Sequence, residues 1–130
     1  MREKYGAGFE TILYVIGFEI GYHAYENHVK LLGNDINVLL RAGTEFFQAL
    51  GYGVLEVVKF SYGNAISRIY NNFECELFKG SEKSASHFVR GLIVGWDTVA
   101  WNVDINRVKS VETKCIAKGD SYCEIHVTID

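Results

Sequence analysis

Three side chains near the end of the chain carry the clearest potential for chemistry. Cys115 and Cys123 lie eight positions apart around a Lys-Gly-Asp turn, and Glu112 precedes the first of them by three positions. Thiolate sulfur and carboxylate oxygen both bind zinc, while a thiol alone can act as a nucleophile or form half of a disulfide. Free cysteine also packs as a small apolar residue. The spacing leaves four interpretations open: a disulfide, a metal site, a catalytic thiol, or a packed hairpin.

A β-hairpin must position these side chains. If its turn is centred on Gly119, Cys115 lies opposite Cys123, and directly opposed residues have Cβ atoms about 4.5–5.5 Å apart. Glu112 is an odd number of positions from Cys115, so on a regular strand its side chain points to the opposite face. It reaches the thiols only if a β-bulge or a bend turns it toward them. The third cysteine, Cys75, falls in a stretch that we interpret as a strand, and we expect no role for it.

Length and composition limit the kind of protein that carries this hairpin. The chain has 130 residues, of which 48% are hydrophobic and 22% charged, so we expect one globular domain over residues 1–130. A net charge of -3 gives no basic surface for nucleic acid, and no apolar run approaches the roughly 18 residues of a membrane span. The N-terminus lacks a signal-peptide pattern, so we expect a cytoplasmic protein, in which a disulfide is the weaker interpretation.

Three main helices are predicted from apolar residues at spacings of three and four. They run from residue 9 to about 30, from a cap at Asn34 or Asp35 to about residue 50, and from a cap at Ser81 or Ser84 through residue 99. Within the first helix, Gly17 and Gly21 allow another backbone or a ligand to come close, or else mark a kink.

Strands are predicted where apolar and polar residues alternate. They cover residues 54–62 and 65–78, and a terminal hairpin that begins near residue 103. This order of elements predicts an α+β fold, with an antiparallel sheet of about four strands packed against about three main helices. Because the helices would cover only one face of the sheet, we also expect a homodimer.

Two segments carry a family resemblance. SHFVRGLIVG and VETKCIAKGDSYCEIHV resemble the C-terminal half of the 4-vinyl reductase domain family, in which a Cys or His precedes a Gly-x-x-x-Gly helix and a Glu-x-x-Cys and a final Cys follow. The family is similar to the sensor modules of aromatic-responsive bacterial transcription activators. Its fold resembles haem-nitric-oxide-binding domains and a vesicle-tethering subunit family.

The resemblance implies a zinc site and a ligand site. The implied zinc ligands are His87, Glu112, Cys115 and Cys123. Four protein ligands leave no open coordination position, so this zinc would brace the late helix against the hairpin rather than activate water. Gly91 and Gly95 lack side chains and would leave room for an apolar molecule beside the late helix. The resemblance likewise implies that a small hydrophobic or aromatic molecule binds between helices and sheet. The candidate lining residues are Phe88, Trp96, Trp101 and Tyr122, with simple core packing as the alternative for each.

The sequence gives little support for an enzyme, because it lacks the common catalytic motifs. The sequence has no nucleophile elbow, no Gly-rich phosphate loop after a strand, and no helix-borne histidine pair with an adjacent glutamate. It also lacks a nicotinamide or flavin fingerprint that would supply a hydride. We therefore expect a stand-alone binding or sensor domain for a small hydrophobic or aromatic molecule, braced by zinc. The alternatives are a protein-interaction scaffold with a filled core and, with less support, a zinc metalloenzyme.

Overall fold

Helices and strands follow one another in the predicted order. The structure, a computed structural model, describes residues 2–76 and 86–130, with side chains from residue 8 onward. The helices are α1 (Arg2–Leu32), α2 (Ile36–Ala49), α3 (Phe73–Glu76) and α4 (His87–Trp101). The strands are β1 (Val54–Ser61), β2 (Asn64–Tyr70), β3 (Val108–Lys114) and β4 (Cys123–Ile129), with 3₁₀ turns at Ile105–Arg107 and Ile116–Lys118. The strands form one antiparallel sheet in the order β1-β2-β4-β3, which confirms the α+β prediction.

The helix-facing side of the sheet and α4 together form the core. Side chains of β2 and β4 alternate between buried and half-buried positions, as expected for a sheet with one covered face. The buried ones are Ala65, Ser67 and Ile69 on β2 and Cys123, Ile125 and Val127 on β4. Helix α4 is buried along most of its length. Among the residues that the structure describes, no helix has both the length and the apolar character needed to cross a membrane.

Helices α1 and α4 pack backbone against backbone at two pairs of glycines. A Cβ atom built on any of the four would overlap a carbonyl oxygen of the other helix. The overlaps are Gly17 with Phe88, Gly21 with Leu92, Gly91 with Tyr14, and Gly95 with Phe18. The prediction that Gly17 and Gly21 admit another backbone is therefore confirmed. The expectation that Gly91 and Gly95 leave room for a ligand is wrong, because the backbone of α1 fills that space.

The second strand is shorter than predicted because a turn ends it at Tyr70. Asn71 has a φ of 55°, a left-handed backbone conformation that interrupts an extended chain. The Asn72 side chain then accepts a hydrogen bond from the Glu74 N–H at 3.0 Å. This contact caps the start of α3, so Cys75 lies in a helical turn and not in the predicted strand.

The start of α4 also differs from the prediction. Residues 77 and 78 of the predicted strand and the predicted caps Ser81 and Ser84 lie outside the described residues. Ser86 precedes the helix, and its side chain makes no capping hydrogen bond. The Glu74 carboxylate accepts hydrogen bonds from the N–H groups of Phe88 at 3.0 Å and Val89 at 3.2 Å. A buried carboxylate on α3 thus satisfies backbone donors at the positive end of α4.

The terminal hairpin contains the irregularity that Glu112 requires. The pairing of β3 with β4 shifts between Glu112 and Lys114. Thr113, at the shift, is exposed, and its hydroxyl lies 2.9 Å from Glu124 Oε1 on the uncovered face of the sheet. The extra residue changes the alternation of side chains, so Glu112 and Cys115 both point toward the helices.

Cys115 and Cys123 were predicted to lie opposite each other on paired strands, but they are not partners in the pairing of β3 with β4. Strand β3 ends at Lys114, and Cys115 precedes the 3₁₀ turn, which closes at Gly119 with a φ of 104°. Cys123 begins β4 on the other side of this turn. Both side chains are fully buried, so the turn brings the two sulfurs into the core rather than to the surface.

Candidate functional site

Three sulfur atoms and one carboxylate converge at one end of the sheet. Ligand atoms of Cys75, Glu112, Cys115 and Cys123 all lie within 4.8 Å of one another. The Cys75 Sγ lies 3.2 Å from the Sγ atoms of both Cys115 and Cys123; all three cysteines are buried, and none of them forms a disulfide. Helix α3, the end of β3 and the start of β4 each contribute to this group. Three thiols and a carboxylate match the donor set of a structural zinc site.

The group differs from the sequence-derived set at one position. Glu112, Cys115 and Cys123 are brought together, whereas His87 lies elsewhere, with its Nε2 atom 3.5 Å from a carboxylate oxygen of Glu10 on α1. Cys75 occupies the fourth position. Sequence reasoning missed Cys75 because it was placed on a strand; the paired asparagines before α3 were the available signal for a turn there.

Hydrogen-bond donors surround the sulfur atoms. The Ile116 N–H lies 3.3 Å from Cys123 Sγ, and the side-chain amide of Asn72 lies 3.5 Å from the same sulfur. The Ser86 hydroxyl lies 2.9 Å from Cys75 Sγ, which explains why this side chain does not cap α4. Donors directed at sulfur stabilise thiolates, and such contacts commonly surround metal ligands.

The carboxylate of Glu112 is only half satisfied. The Ser86 N–H donates to its Oε1 at 3.4 Å, while its Oε2 is buried and has no hydrogen-bond partner among the described residues. Burial raises the pKa of Glu112 to about 7. A buried carboxylate oxygen without a partner costs free energy, and a bound cation would remove that cost.

The surroundings of Cys75 and Cys123 favour the protonated thiols when no cation is bound. A hydrogen bond with the Cys115 thiol raises the pKa of Cys123 to about 11 and raises that of Cys75 as well. A divalent cation favours deprotonated ligands and would displace these protons. The donor set, the half-satisfied carboxylate and the donors around the sulfurs therefore fit a bound zinc ion.

A separate cavity lies between the helices and the sheet. Its volume is about 40 Å³, and residues of α1, α2, α4, β1 and β2 line it. Its aromatic lining residues are Phe46, Phe60 and Trp96, and its polar ones are Thr44, Ser67 and Asp97. The Trp96 Nε1 and the Asp97 Oδ2 are buried without a hydrogen-bond partner among the described residues. Burial raises the pKa of Asp97 well above the ordinary value of an aspartate.

The four predicted lining residues occupy different environments. Trp96 lines the cavity. The other three are not among the lining residues: Phe88 packs on Tyr52 at 5.3 Å, and Tyr122 packs on Tyr70 at 5.6 Å. Trp101 stacks at 5.7 Å on Phe60, which does line the cavity. Tyr122 lies on the uncovered face of the sheet, where the Arg68 guanidinium lies 5.0 Å from its ring centre. The sequence pattern did not indicate that Ser67 and Asp97 would line the cavity.

Comparison with known proteins gives one relative by sequence. No protein-family model matches the chain. The chain is 34% identical over 125 residues to the uncharacterized protein MJ0150 of Methanocaldococcus jannaschii, and the match covers 96% of this chain and 68% of that protein.

Solved structures of several other proteins share the fold. The phenol-responsive sensory domain of the transcription activator PoxR, solved with phenol, has a TM-score of 0.79 and 14% identity over 92% of this chain and 64% of its own. The chain thus spans less than two thirds of that structure. A vinyl-4-reductase family protein from Methanocaldococcus jannaschii has a TM-score of 0.63 and 17% identity over 91% of this chain and 68% of its own.

The third structure is a trafficking protein particle complex subunit 3 from Naegleria fowleri, covalently bound to palmitic acid. Its TM-score is 0.58, with 18% identity over 95% of this chain and 81% of its own. These three likenesses establish the fold alone, whereas the sequence match establishes kinship. The chain therefore belongs to the same family as MJ0150 of Methanocaldococcus jannaschii, and it has the fold of the vinyl-4-reductase proteins and of the phenol-responsive sensory domain.

Proposed function

We propose that this protein is a binding or sensor domain for a small hydrophobic molecule, with the ligand held in the cavity between helices and sheet. The observation that carries the proposal is the cavity itself, which has aromatic walls and two buried polar atoms without partners among the described residues. The fold adds support, because the PoxR sensory domain with this fold was solved with phenol.

Because the cavity is small, a ligand that enters it would have to change the packing around it. A volume of about 40 Å³ holds water molecules but is smaller than the roughly 150 Å³ of a cavity that binds benzene. A ring can enter only if lining side chains such as Trp96 and Phe46 move. These residues belong to α4 and α2, so the ligand would favour one arrangement of the helices over another.

We further propose that one zinc ion braces the sheet where α3, β3 and β4 meet. Cys75, Glu112, Cys115 and Cys123 would hold it, with Cys75 in the place that the family resemblance assigned to His87. When bound, zinc supplies a cross-link among α3, β3 and β4. With all four positions filled by protein, the site has a structural role.

A homodimer is the third part of the proposal. On the side of α1 away from α4, Ile12, Val15 and Ile16 are 56%, 51% and 48% exposed. Residues three and four apart lie on one helix face, so these side chains form a continuous apolar strip. A second copy of this chain would cover the strip and shield it from water.

Fluorescence of Trp96 tests the ligand proposal. The chain has two tryptophans, so a Trp101→Phe variant retains Trp96 as its only indole. We expect phenol to change the emission of this variant with a saturating dose dependence. Adding Ile93→Phe, which fills the cavity, should abolish the change. The matched control is Ile66→Phe, because Ile66 alternates with the buried residues of β2 and so lies on the uncovered face.

The second candidate is an interaction scaffold whose core is filled. The small cavity volume favours it. If phenol and other small hydrophobic molecules leave Trp96 emission unchanged in the Trp101→Phe variant, and native mass spectrometry finds no bound ligand, the scaffold replaces the sensor. A metalloenzyme would require a metal that stays bound when Glu112 is replaced by Gln, since that would leave a coordination position for water.

A further inference from the structure

Asp97 is an unusual residue to find in the cavity wall. It lies on α4, is only 4% exposed, and its Oδ2 has no hydrogen-bond donor among the described residues. The cavity has no Lys, Arg or His in its described lining that would pair with a carboxylate. Buried carboxyl groups are normally paired or hydrogen-bonded, because an isolated one costs free energy. A structural role for Asp97 would show a partner within the fold, and the described part of the chain offers none at Oδ2.

The neighbouring Trp96 also has an unpaired polar group, but it is a hydrogen-bond donor rather than an acceptor. Its Nε1–H is buried and has no acceptor among the described residues, although its ring packs edge-on against Tyr25 at 4.9 Å. The same cavity wall therefore contains one unpaired donor and one unpaired acceptor. A ligand that supplies both an acceptor and a donor would satisfy both groups at once.

Simple chemistry discriminates among the ligand classes. A hydrocarbon leaves both groups unpaired, and a carboxylate places a second acid beside Asp97. An ammonium group has donors only and leaves Trp96 without an acceptor. A hydroxyl group both donates and accepts, and the aromatic side chains of the wall suit an apolar body. We infer that the ligand is a small neutral alcohol or phenol whose hydroxyl is recognised by Asp97 and Trp96. The inference rests on the proposed function and assigns the residues that would determine its specificity.

Three probes of similar size test this inference on the whole protein: phenol, toluene and benzylamine, which is a cation at neutral pH. Isothermal titration gives the dissociation constant of each. Phenol pairs buried polar groups that toluene leaves unpaired, so phenol should bind about 5-fold to 150-fold more tightly than toluene. Asp97→Leu should remove this preference while toluene still binds. Trp96→Phe should reduce it.

Thr98→Val is the matched control. Thr98 is the next residue on α4, is buried, and its hydroxyl donates to the Val94 carbonyl at 2.7 Å rather than lining the cavity. Its ratio of phenol to toluene affinity should equal that of the wild type. The wild-type ratio tests the inference even if Asp97→Leu does not fold.

Each contrary result has a distinct meaning. Toluene binding as tightly as phenol in the wild type would overturn the role of Asp97 and Trp96 but leave the binding cavity in place. Benzylamine binding most tightly would overturn the hydroxyl assignment in favour of a cationic ligand. Failure of all three probes to bind would overturn this inference together with the proposed function.

Discussion

Replacing Gly21 with alanine tests the close packing of α1 against α4. A Cβ atom at this position would overlap the carbonyl oxygen of Leu92 and lie 2.8 Å from its carbonyl carbon. Both are backbone atoms of a buried helix, so neither can rotate away. To restore a contact of about 3.5 Å, the two helices must separate by roughly 1 Å or more along this interface. The glycines on both sides of the interface would then lose contact together.

Two opposing effects determine the change in unfolding free energy of the Gly21→Ala variant. Overpacking of a core costs typically about 1–3 kcal/mol and more when backbone must move. Alanine in place of glycine inside a helix returns up to about 1 kcal/mol through helix propensity. Because Gly21 contacts rigid backbone rather than a flexible side chain, the cost lies at or above the upper end of that range, and we expect the Gly21→Ala variant to lose about 2 kcal/mol or more of unfolding free energy.

Urea denaturation followed by circular dichroism measures this difference. The matched control is Gly8→Ala, since Gly8 lies on the same helix, is exposed, and has no neighbouring atom within 4 Å of the position that a Cβ atom would take. That change should raise the unfolding free energy by about 0.5–1 kcal/mol. Because the two changes in unfolding free energy have opposite signs, the effect of the interface can be distinguished from that of helix propensity. If Gly21→Ala were as stable as Gly8→Ala, the backbone contact between the helices would be refuted.

Three further predictions concern the metal, the buried acid and the dimer. Protein purified without added zinc should contain about one zinc per chain by elemental mass spectrometry. The Cys75→Ser variant should lose this zinc, and the His87→Ala variant should keep it. The reverse pattern would restore His87 as the ligand. Burial raises the folded pKa of Asp97, so the protonated acid stabilises the fold at low pH and this contribution is lost as pH rises toward the folded pKa. Asp97→Asn, which stays neutral, should therefore gain melting temperature relative to wild type as the pH rises above about pH 4, where the unfolded acid ionises, and a constant difference would contradict the pKa shift. Ile16→Glu places a charge in the exposed strip of α1 and should convert a dimer to a monomer in sedimentation experiments; an unchanged mass would place the interface elsewhere.

Local features were predictable because they depend on neighbours in the chain. The periodicity of apolar residues indicated the main helices and the sheet, and Asp35 caps α2 as predicted, with its side chain 3.0 Å from the Asn37 N–H. The spacing of Glu112 and Cys115 also required an irregularity in β3, and the register shift lies there. These inferences need only the geometry of one helix, one strand or one turn.

The composition of the two sites depended on contacts between distant segments. Cys75 joins Cys115 and Cys123 because the turn at Asn71 ends β2 and directs α3 toward the hairpin. His87, at the start of a helix, contacts Glu10 of α1 instead. A pattern of residue types reveals which side chains can bind zinc, but not which of them will meet in space.

The same distinction applies to the cavity. The family resemblance named Trp96 among the candidate lining residues, and the sequence pattern indicated Gly17 and Gly21 as places for close approach, whereas Gly91 and Gly95 were expected to leave room for a ligand. Only the packed structure decided that these glycines hold one helix against the other, and that the open space lies instead beside Asp97. Helical spacing determines the direction of a side chain relative to its own helix, whereas burial and pairing depend on what packs opposite.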